Sequence, residues 1–201
     1  MKTLRDPVSD PLTLRPRRVH EVEGPGRRFF ALMQAARVAV QTGGPIFWVL
    51  PAHQPERPML WGLPEGLADR LHLVRARGET DLLWAVEEAL RSAEVGVVLA
   101  EPEKPLSLTA GRRLQLAAEA GRTLGVMLIR QGQGSNATET RWHAAPIPAS
   151  GLGDSTLVRW SLIKNKSGTL GEWTVSWDGT SAAFHLVSAA GERPCPADPP
   201  L

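Results

Sequence analysis

The chain has 201 residues, of which 42% are apolar, so it is long enough for one sizeable core and too short for two comfortable domains. Its formal net charge of +2 is nearly neutral and argues neither for nor against nucleic-acid binding. A single cysteine excludes an internal disulfide, and the five histidines are too scattered for a zinc site. The sequence also lacks a membrane-spanning apolar run and a signal peptide, so we expect a cytosolic protein. We also expect it to hold no metal and no cofactor.

Residues 19–130 alternate between strand-like and helix-like segments. The run from Ile46 to Leu50 is continuously apolar and is stopped by Pro51, which is typical of a strand buried on both faces of a parallel sheet. On the first predicted helix we expect an apolar side formed by Phe30, Met33, Ala36, Val38 and Val40. Strands are predicted at 18–23, 46–50, 71–74, 95–100 and 126–129, helices at 27–41, 79–93 and within 107–125, and a loop at 51–66.

The pattern changes after residue 130. A flexible break at 131–135 is followed by four strand-like segments, and in the third of these Trp173, Val175 and Trp177 alternate with polar residues, as in a half-buried antiparallel sheet. These strands are predicted at 141–148, 156–163, 172–177 and 182–188, with 165–171 as a hairpin connection. The sequence therefore predicts an α/β fold, with a parallel sheet flanked by helices and a C-terminal antiparallel β-meander. We expect three parts: an arm (1–18), the folded domain (19–188) and a proline-rich tail (189–201).

A strand, a glycine-containing turn and a helix open the α/β region, which is where a phosphate-binding P-loop would lie. The stretch here is Gly24, Pro25, Gly26, Arg27 and Arg28, and no Gly-Lys-Ser/Thr motif follows it. Pro25 also removes one N–H donor, so the sequence predicts a degenerate P-loop without ATP hydrolysis. The two arginines would bind an anion at the helix N-terminus or, as an alternative we favour, form only a solvated first turn.

Four tryptophans crowd the predicted C-terminal sheet. An aromatic sheet face can stack nucleic-acid bases or anchor a partner protein, and it can equally be core. We favour the core, because one face of the sheet must be buried whatever its function. The four are Trp142, Trp160, Trp173 and Trp177.

Six stretches occur in the order found in one known family: Val19–Pro25, Arg77–Asp81 with its helix, Val97–Leu99, Val126–Arg130, Thr140–Trp142 and Ile163–Trp173. On these stretches the chain resembles the RecA core, and more closely the ImuA family, RecA-related accessory proteins of bacterial damage-induced mutagenesis. The resemblance runs from about residue 19 to residue 187, and Ile163–Trp173 is its most specific part. It implies a RecA-like core.

The departures from RecA lie at the positions of its catalytic machinery. Besides the missing P-loop lysine, Ala52 stands at the place that matches the catalytic glutamate. The acid at the end of the fourth core strand is replaced by Leu99, with Glu101 two positions further on. Loss of all three groups leaves neither a metal-bound phosphate nor a base to orient water, so the resemblance implies a protein that is not an enzyme.

The lysine-containing stretch Ile163–Trp173, in contrast, is similar to that of RecA. In RecA filaments the similar lysines project across the subunit interface toward the neighbour's nucleotide, so the resemblance implies an interaction role here; the alternative is an ordinary basic hairpin tip. The candidate interaction residues are Lys164, Asn165, Lys166, Gly168, Gly171, Glu172 and Trp173.

The resemblance implies an accessory factor of SOS-type, damage-induced translesion DNA synthesis. Its implied partners are an ImuB-type Y-family-like protein, an error-prone C-family polymerase and RecA. An alternative from a different class is a damage-induced cell-division inhibitor similar to SulA, which binds FtsZ. A third is a nucleotide-dependent enzyme with an unusual site, which the missing residues disfavour.

Overall fold

The computed structural model describes residues 12–56, 66–148, 155–166, 168–178 and 183–193. The predicted proline-rich tail beyond 193 and most of the predicted loop 51–66 lie outside these residues. The helices are α1 (Arg27–Thr42), α2 (Glu79–Arg91) and α3 (Leu108–Gly121), and Ala68–Arg70 form a short 3-10 turn. The strands are β1 (Val19–Glu23), β2 (Ile46–Pro51), β3 (Leu71–Ala76), β4 (Val97–Ala100), β5 (Leu124–Leu128), β6 (Thr140–Pro146), β7 (Ser155–Asn165), β8 (Leu170–Asp178) and β9 (Ala183–Arg193).

The described strands form one sheet in the order β3-β2-β4-β5-β1-β6-β7-β8-β9. From β3 to β6 neighbouring strands are parallel, and from β6 to β9 they are antiparallel. Strand β4, which lies between β2 and β5, is completely buried, which explains its uninterrupted apolar run. The predicted fold class, a parallel α/β sheet followed by an antiparallel meander, is confirmed.

The helices cover the two faces of the sheet and divide the core into two clusters. Helix α1 packs on one face, where Phe30 meets Trp48, Leu99 and Trp142 in the larger cluster. Helices α2 and α3 lie side by side on the other face, where Val86 and Leu114 share the smaller cluster with Val98. The three helices α1, α2 and α3 follow β1, β3 and β4, so each of their N-termini lies at the carboxyl edge of the sheet. No helix among the described residues is long and apolar enough to cross a bilayer.

The described part of the arm, Leu12–Arg18, packs against α1. Leu12 and Leu14 are buried, and the Leu12 carbonyl accepts a hydrogen bond of 2.7 Å from Gln34 Nε2. The arm therefore lies beside the middle turns of α1, where residues 30–36 are all buried. Near the end of the helix Val40 is 73% exposed, so its predicted place on the apolar side of the helix was wrong.

The tryptophans whose side chains are described in the C-terminal sheet belong to the core. Trp142, Trp160 and Trp173 are each at most 5% exposed. The ring of Phe30 on α1 lies 5.4 Å from that of Trp142 and 4.7 Å from that of Trp160, centroid to centroid. The interpretation of these residues as core is therefore confirmed, while the side chain of Trp177 lies outside the described part.

Candidate functional site

The turn between β1 and α1 lies at the carboxyl edge of the sheet, where a P-loop would be. It is short and packs against the backbone of β6: the Gly26 N–H donates a hydrogen bond of 2.8 Å to the Ala144 carbonyl. Gly24 has a φ of 91°, and a Cβ on it would lie 2.5 Å from the same oxygen. Because Pro25 has no N–H and the Gly26 N–H is engaged, neither residue offers a donor to a phosphate.

Arg28, in the first turn of α1, forms a two-pronged ion pair with Glu101 at the end of β4. Its Nε and one terminal nitrogen each donate a hydrogen bond of 2.9 Å to the Glu101 carboxylate. Glu101 is 4% exposed, and the indole N–H of buried Trp48 donates a third bond to it at 3.1 Å. The hydrogen bond from Arg28 to Glu101 raises the pKa of that arginine above its ordinary value. The guanidinium and the carboxylate thus neutralise each other inside the edge of the sheet.

The next acids along this edge are also engaged within the chain. Glu23 is buried at the end of β1, where one of its oxygens accepts a hydrogen bond of 3.1 Å from the Gly132 N–H and the other lies 3.5 Å from His143 Nδ1. Glu103 lies 3.3 Å from His53 Nε2. Within the described residues, no three His, Cys, Asp or Glu side chains come together as a metal site would require.

Of the predicted P-loop arginines, only Arg28 reaches an acid among the described residues. Arg27 is half-buried, and its side chain donates a weak bond of 3.4 Å to the Gly24 carbonyl. The solvated first turn therefore fits Arg27, but Arg28 has a partner that the pattern around the turn does not predict.

The two predicted interaction lysines fasten the loop 131–139, which joins β5 to β6. Lys164 Nζ lies within 3.2 Å of the carbonyl oxygens of Ser135, Asn136 and Thr138, and Lys166 Nζ lies 2.6 Å from that of Ala137. Partial burial lowers the pKa of Lys164 to about 8, so the amine is still a charged donor at neutral pH. Both ammonium groups are engaged with a loop of their own chain.

A buried carboxylate holds the same loop from the other side. Glu21, fully buried on β1, accepts hydrogen bonds from the Ser135 N–H at 2.8 Å, from the Thr138 hydroxyl at 3.0 Å and from Arg141 Nε at 2.9 Å. The segment after residue 130, which the sequence predicts to be a flexible break, is therefore held in place by hydrogen bonds to side chains of three strands.

The other candidate interaction residues lie in and around the β7–β8 hairpin. Asn165 Nδ2 donates to the Thr169 carbonyl at 3.2 Å across the turn, and Gly168 is exposed at its tip. Gly171 lies against the ring of Trp173, which is part of the core. Glu172 accepts a hydrogen bond from the Ser161 hydroxyl at 2.8 Å.

Sequence reasoning noted Arg28 and Glu101 separately and missed their pairing. A signal was present: Arg28 opens the helix after one core strand, and Glu101 ends another strand of the same parallel sheet. The carboxyl ends of such strands meet at one edge, which brings the two charges within reach. The role of Glu21 was missed as well, and an acid inside a buried strand was its signal.

The fold and this edge define an α/β protein with a mixed sheet, in which the turn before α1 packs on β6 and Arg28 is paired with Glu101. No family model matches the chain. It is 35% identical over 173 aligned residues to Protein ImuA of Caulobacter vibrioides, in strains NA1000 and ATCC 19089 alike, and the match covers 75% of this chain and 69% of that protein. The chain belongs to the ImuA family.

Proposed function

We propose that this protein is a non-catalytic accessory factor of SOS-type, damage-induced translesion DNA synthesis, acting through contacts with other proteins. The observation that carries the proposal is the ion pair between Arg28 and Glu101 at the carboxyl edge of the sheet. Membership of the ImuA family supports the pathway.

We propose the absence of catalysis because the groups that a nucleotide site needs are engaged within the chain. A phosphate site requires free backbone N–H groups and a cation, and magnesium requires a free acid. Here the Gly26 N–H is bonded to Ala144, and Arg28 and Glu101 are bonded to each other. We therefore propose that the protein neither hydrolyses ATP nor needs a cofactor.

The proposed partners follow from the family. They are an ImuB-type Y-family-like protein, an error-prone C-family polymerase and RecA, met in the cytoplasm. A contact made by the β7–β8 hairpin remains a prediction. Its exposed residues are Lys166, Gly168 and Thr169, and the ammonium group of Lys166 is bonded to the Ala137 carbonyl.

Co-purification tests the proposal. The tagged full-length chain is expressed in its host with and without DNA damage, and recovered proteins are quantified by mass spectrometry. We expect the ImuB-type protein and the error-prone polymerase to be enriched after damage. Enrichment of FtsZ without them would contradict the proposal and favour a cell-division inhibitor, and an unchanged set of proteins after damage would also contradict it.

A further inference from the structure

Residues Leu12–Arg15 of the arm dock on the rest of the chain at a set of side chains that we call the arm seat. Leu12 and Leu14 are buried and belong to the larger core cluster. The Leu12 carbonyl accepts a hydrogen bond of 2.7 Å from Gln34 Nε2, and a terminal nitrogen of Arg15 donates one of 3.1 Å to Glu139. The arm is therefore held by apolar packing, by backbone hydrogen bonds and by an ion pair. The side chains of the arm seat are His20, Gln34, Arg37 and Glu139.

The arm joins β1 through a turn at Pro16 and Arg17, which we call the hinge. Arg17 has a φ of 60°, in the left-handed region. A turn with proline at its second position and a positive φ at its third ordinarily has Gly or Asn at the third, because a larger side chain is strained there. Directly after the hinge, Arg18 is fixed to α3 by an ion pair with Glu119. The hinge is therefore short and strained, and it lies between two segments that are each held firmly.

The strain at the hinge and the apolar character of the arm seat act in opposite directions. Extended backbone at Arg17 would remove the strain and lead the arm away from its own seat. An empty seat, however, would expose the apolar surface that Leu12 and Leu14 cover, which is unfavourable in water. A second copy of the chain satisfies both demands, because it offers an identical seat without requiring the strained turn. The six residues 12–17 span about 20 Å when extended, so an opened arm can reach a neighbouring molecule.

We propose that two copies of this protein exchange their arms, each placing Leu12–Arg15 in the arm seat of the other. The same segment fills the seat in the monomer and in the dimer, so the contacts that hold the exchanged arm are those of the structure. Short hinges under strain favour such an exchange, and each dimer relieves two of them. The inference goes beyond the proposed accessory function, which does not require a second copy.

Substitutions at the hinge test the exchange, with the dimer association constant of the full-length chain measured by sedimentation equilibrium. Arg17→Gly accepts a positive φ and should lower this constant at least tenfold. Arg17→Val rejects a positive φ and should raise it at least tenfold. Both variants lose the same charge, so opposite effects cannot come from charge. The matched control is Arg122→Gly, because Arg122 also has a φ of 60° but ends α3; it should leave the constant unchanged.

A pair of charge reversals identifies the exchanged segment. Arg15→Glu and Glu139→Arg each place like charges between an arm and the seat on its own chain. When the two variants are mixed, each arm meets a seat of opposite charge only in the mixed dimer. Native mass spectrometry at low ionic strength should therefore find the mixed dimer above its statistical share. A mixture of the wild type with Arg122→Gly should give the statistical share.

Three results would overturn the proposal. One is a protein that stays monomeric even as Arg17→Val, with circular dichroism showing that the variant is folded. Another is a dimer with equal association constants for Arg17→Gly and Arg17→Val, since a dimer formed through another surface, such as that around the exposed Trp84, does not involve the hinge. The third is a statistical mixture of the two charge-reversed variants, which would mean that the arms stay on their own chains.

Discussion

Arg28 and Glu101 are 73 residues apart in the chain and form a charge-paired contact at the edge of the core. A carboxylate as buried as that of Glu101 is costly unless it is both paired and hydrogen-bonded. The planar guanidinium supplies two parallel donors and the Trp48 indole a third. Arg28 keeps contact with water, because 36% of its side chain is exposed, and this screening moderates the strength of the pair.

Removing the charge of Glu101 should therefore destabilise the fold. We expect Glu101→Gln to lower the free energy of unfolding by about 2 kcal/mol, because Arg28 loses its counter-ion while Trp48 keeps an acceptor. Urea denaturation measures this loss. The matched control is Glu119→Gln, whose acid pairs with Arg18 and is 44% exposed, so it should cost less than about 1 kcal/mol. Equal costs for the two variants would contradict the account of the ion pair.

His20 makes the free energy of unfolding depend on pH. The imidazole is fully buried between the Thr140 hydroxyl, at 2.6 Å, and the Arg15 carbonyl, at 2.9 Å. This burial lowers its pKa from 6.5 to about 4. Between these two values the unfolded chain binds a proton on His20 and the folded chain does not, so the free energy of unfolding falls as the pH falls.

We expect the free energy of unfolding to fall by about 3 kcal/mol through His20 between pH 6.5 and pH 4. Above pH 6.5 the full contribution of His20 is present, and below the folded pKa of about 4 no further loss is expected. Urea denaturation across this range measures it, and the slope is compared with that of His20→Gln, which cannot titrate. The variant should show a flatter dependence on pH. Parallel slopes for the two proteins would mean that His20 is not held neutral by its surroundings.

For the helices and strands, short-range sequence pattern predicted that an element exists and which type it is better than it predicted the residues at which the element begins and ends. The parallel strands were found because runs such as Ile46–Leu50 are buried on both faces. Helix α2 was expected to reach Ala93 and ends at Arg91, because Ser92 has an extended backbone (ψ 123°). The exposure of Val40 was not predictable from the spacing of apolar residues on α1, because the turns that are buried depend on contacts with the arm and the sheet, which lie elsewhere in the sequence.

The loop 131–139 depends on Lys164 for three of its carbonyl contacts. Lys164→Met keeps the length of the side chain and removes the donor, so the loop should open locally at a cost of roughly 1–3 kcal/mol. Hydrogen–deuterium exchange should rise in residues 131–139 and stay unchanged in β4. The control is Lys104→Met, which removes an exposed ammonium that forms no hydrogen bond or ion pair with the described residues. Wild-type exchange in the loop of Lys164→Met would show that the lysine does not hold it.

For the whole molecule, the fold was predictable from the sequence, but the pairing of charged side chains at the carboxyl edge of the sheet was not. Alternating periodicity and buried runs are local, so they specify a parallel sheet that ends in a meander. Which charges meet depends on strand order: Arg28 reaches Glu101 because β4 lies close to α1 across the face of the sheet. The lysines likewise bond to the loop at 135–138 of their own chain, a contact that the sequence pattern does not reveal, and their role in an interaction stays a prediction.

The central claim is that the ion pair between Arg28 and Glu101 takes the place of a nucleotide site. Isothermal titration calorimetry of the purified full-length protein with Mg-ATP tests it most directly. We expect no saturable heat, for the wild type and for the variant with both Arg27 and Arg28 changed to alanine. Micromolar binding by the wild type that is lost in that variant would contradict the account and restore the nucleotide-dependent enzyme as the leading hypothesis.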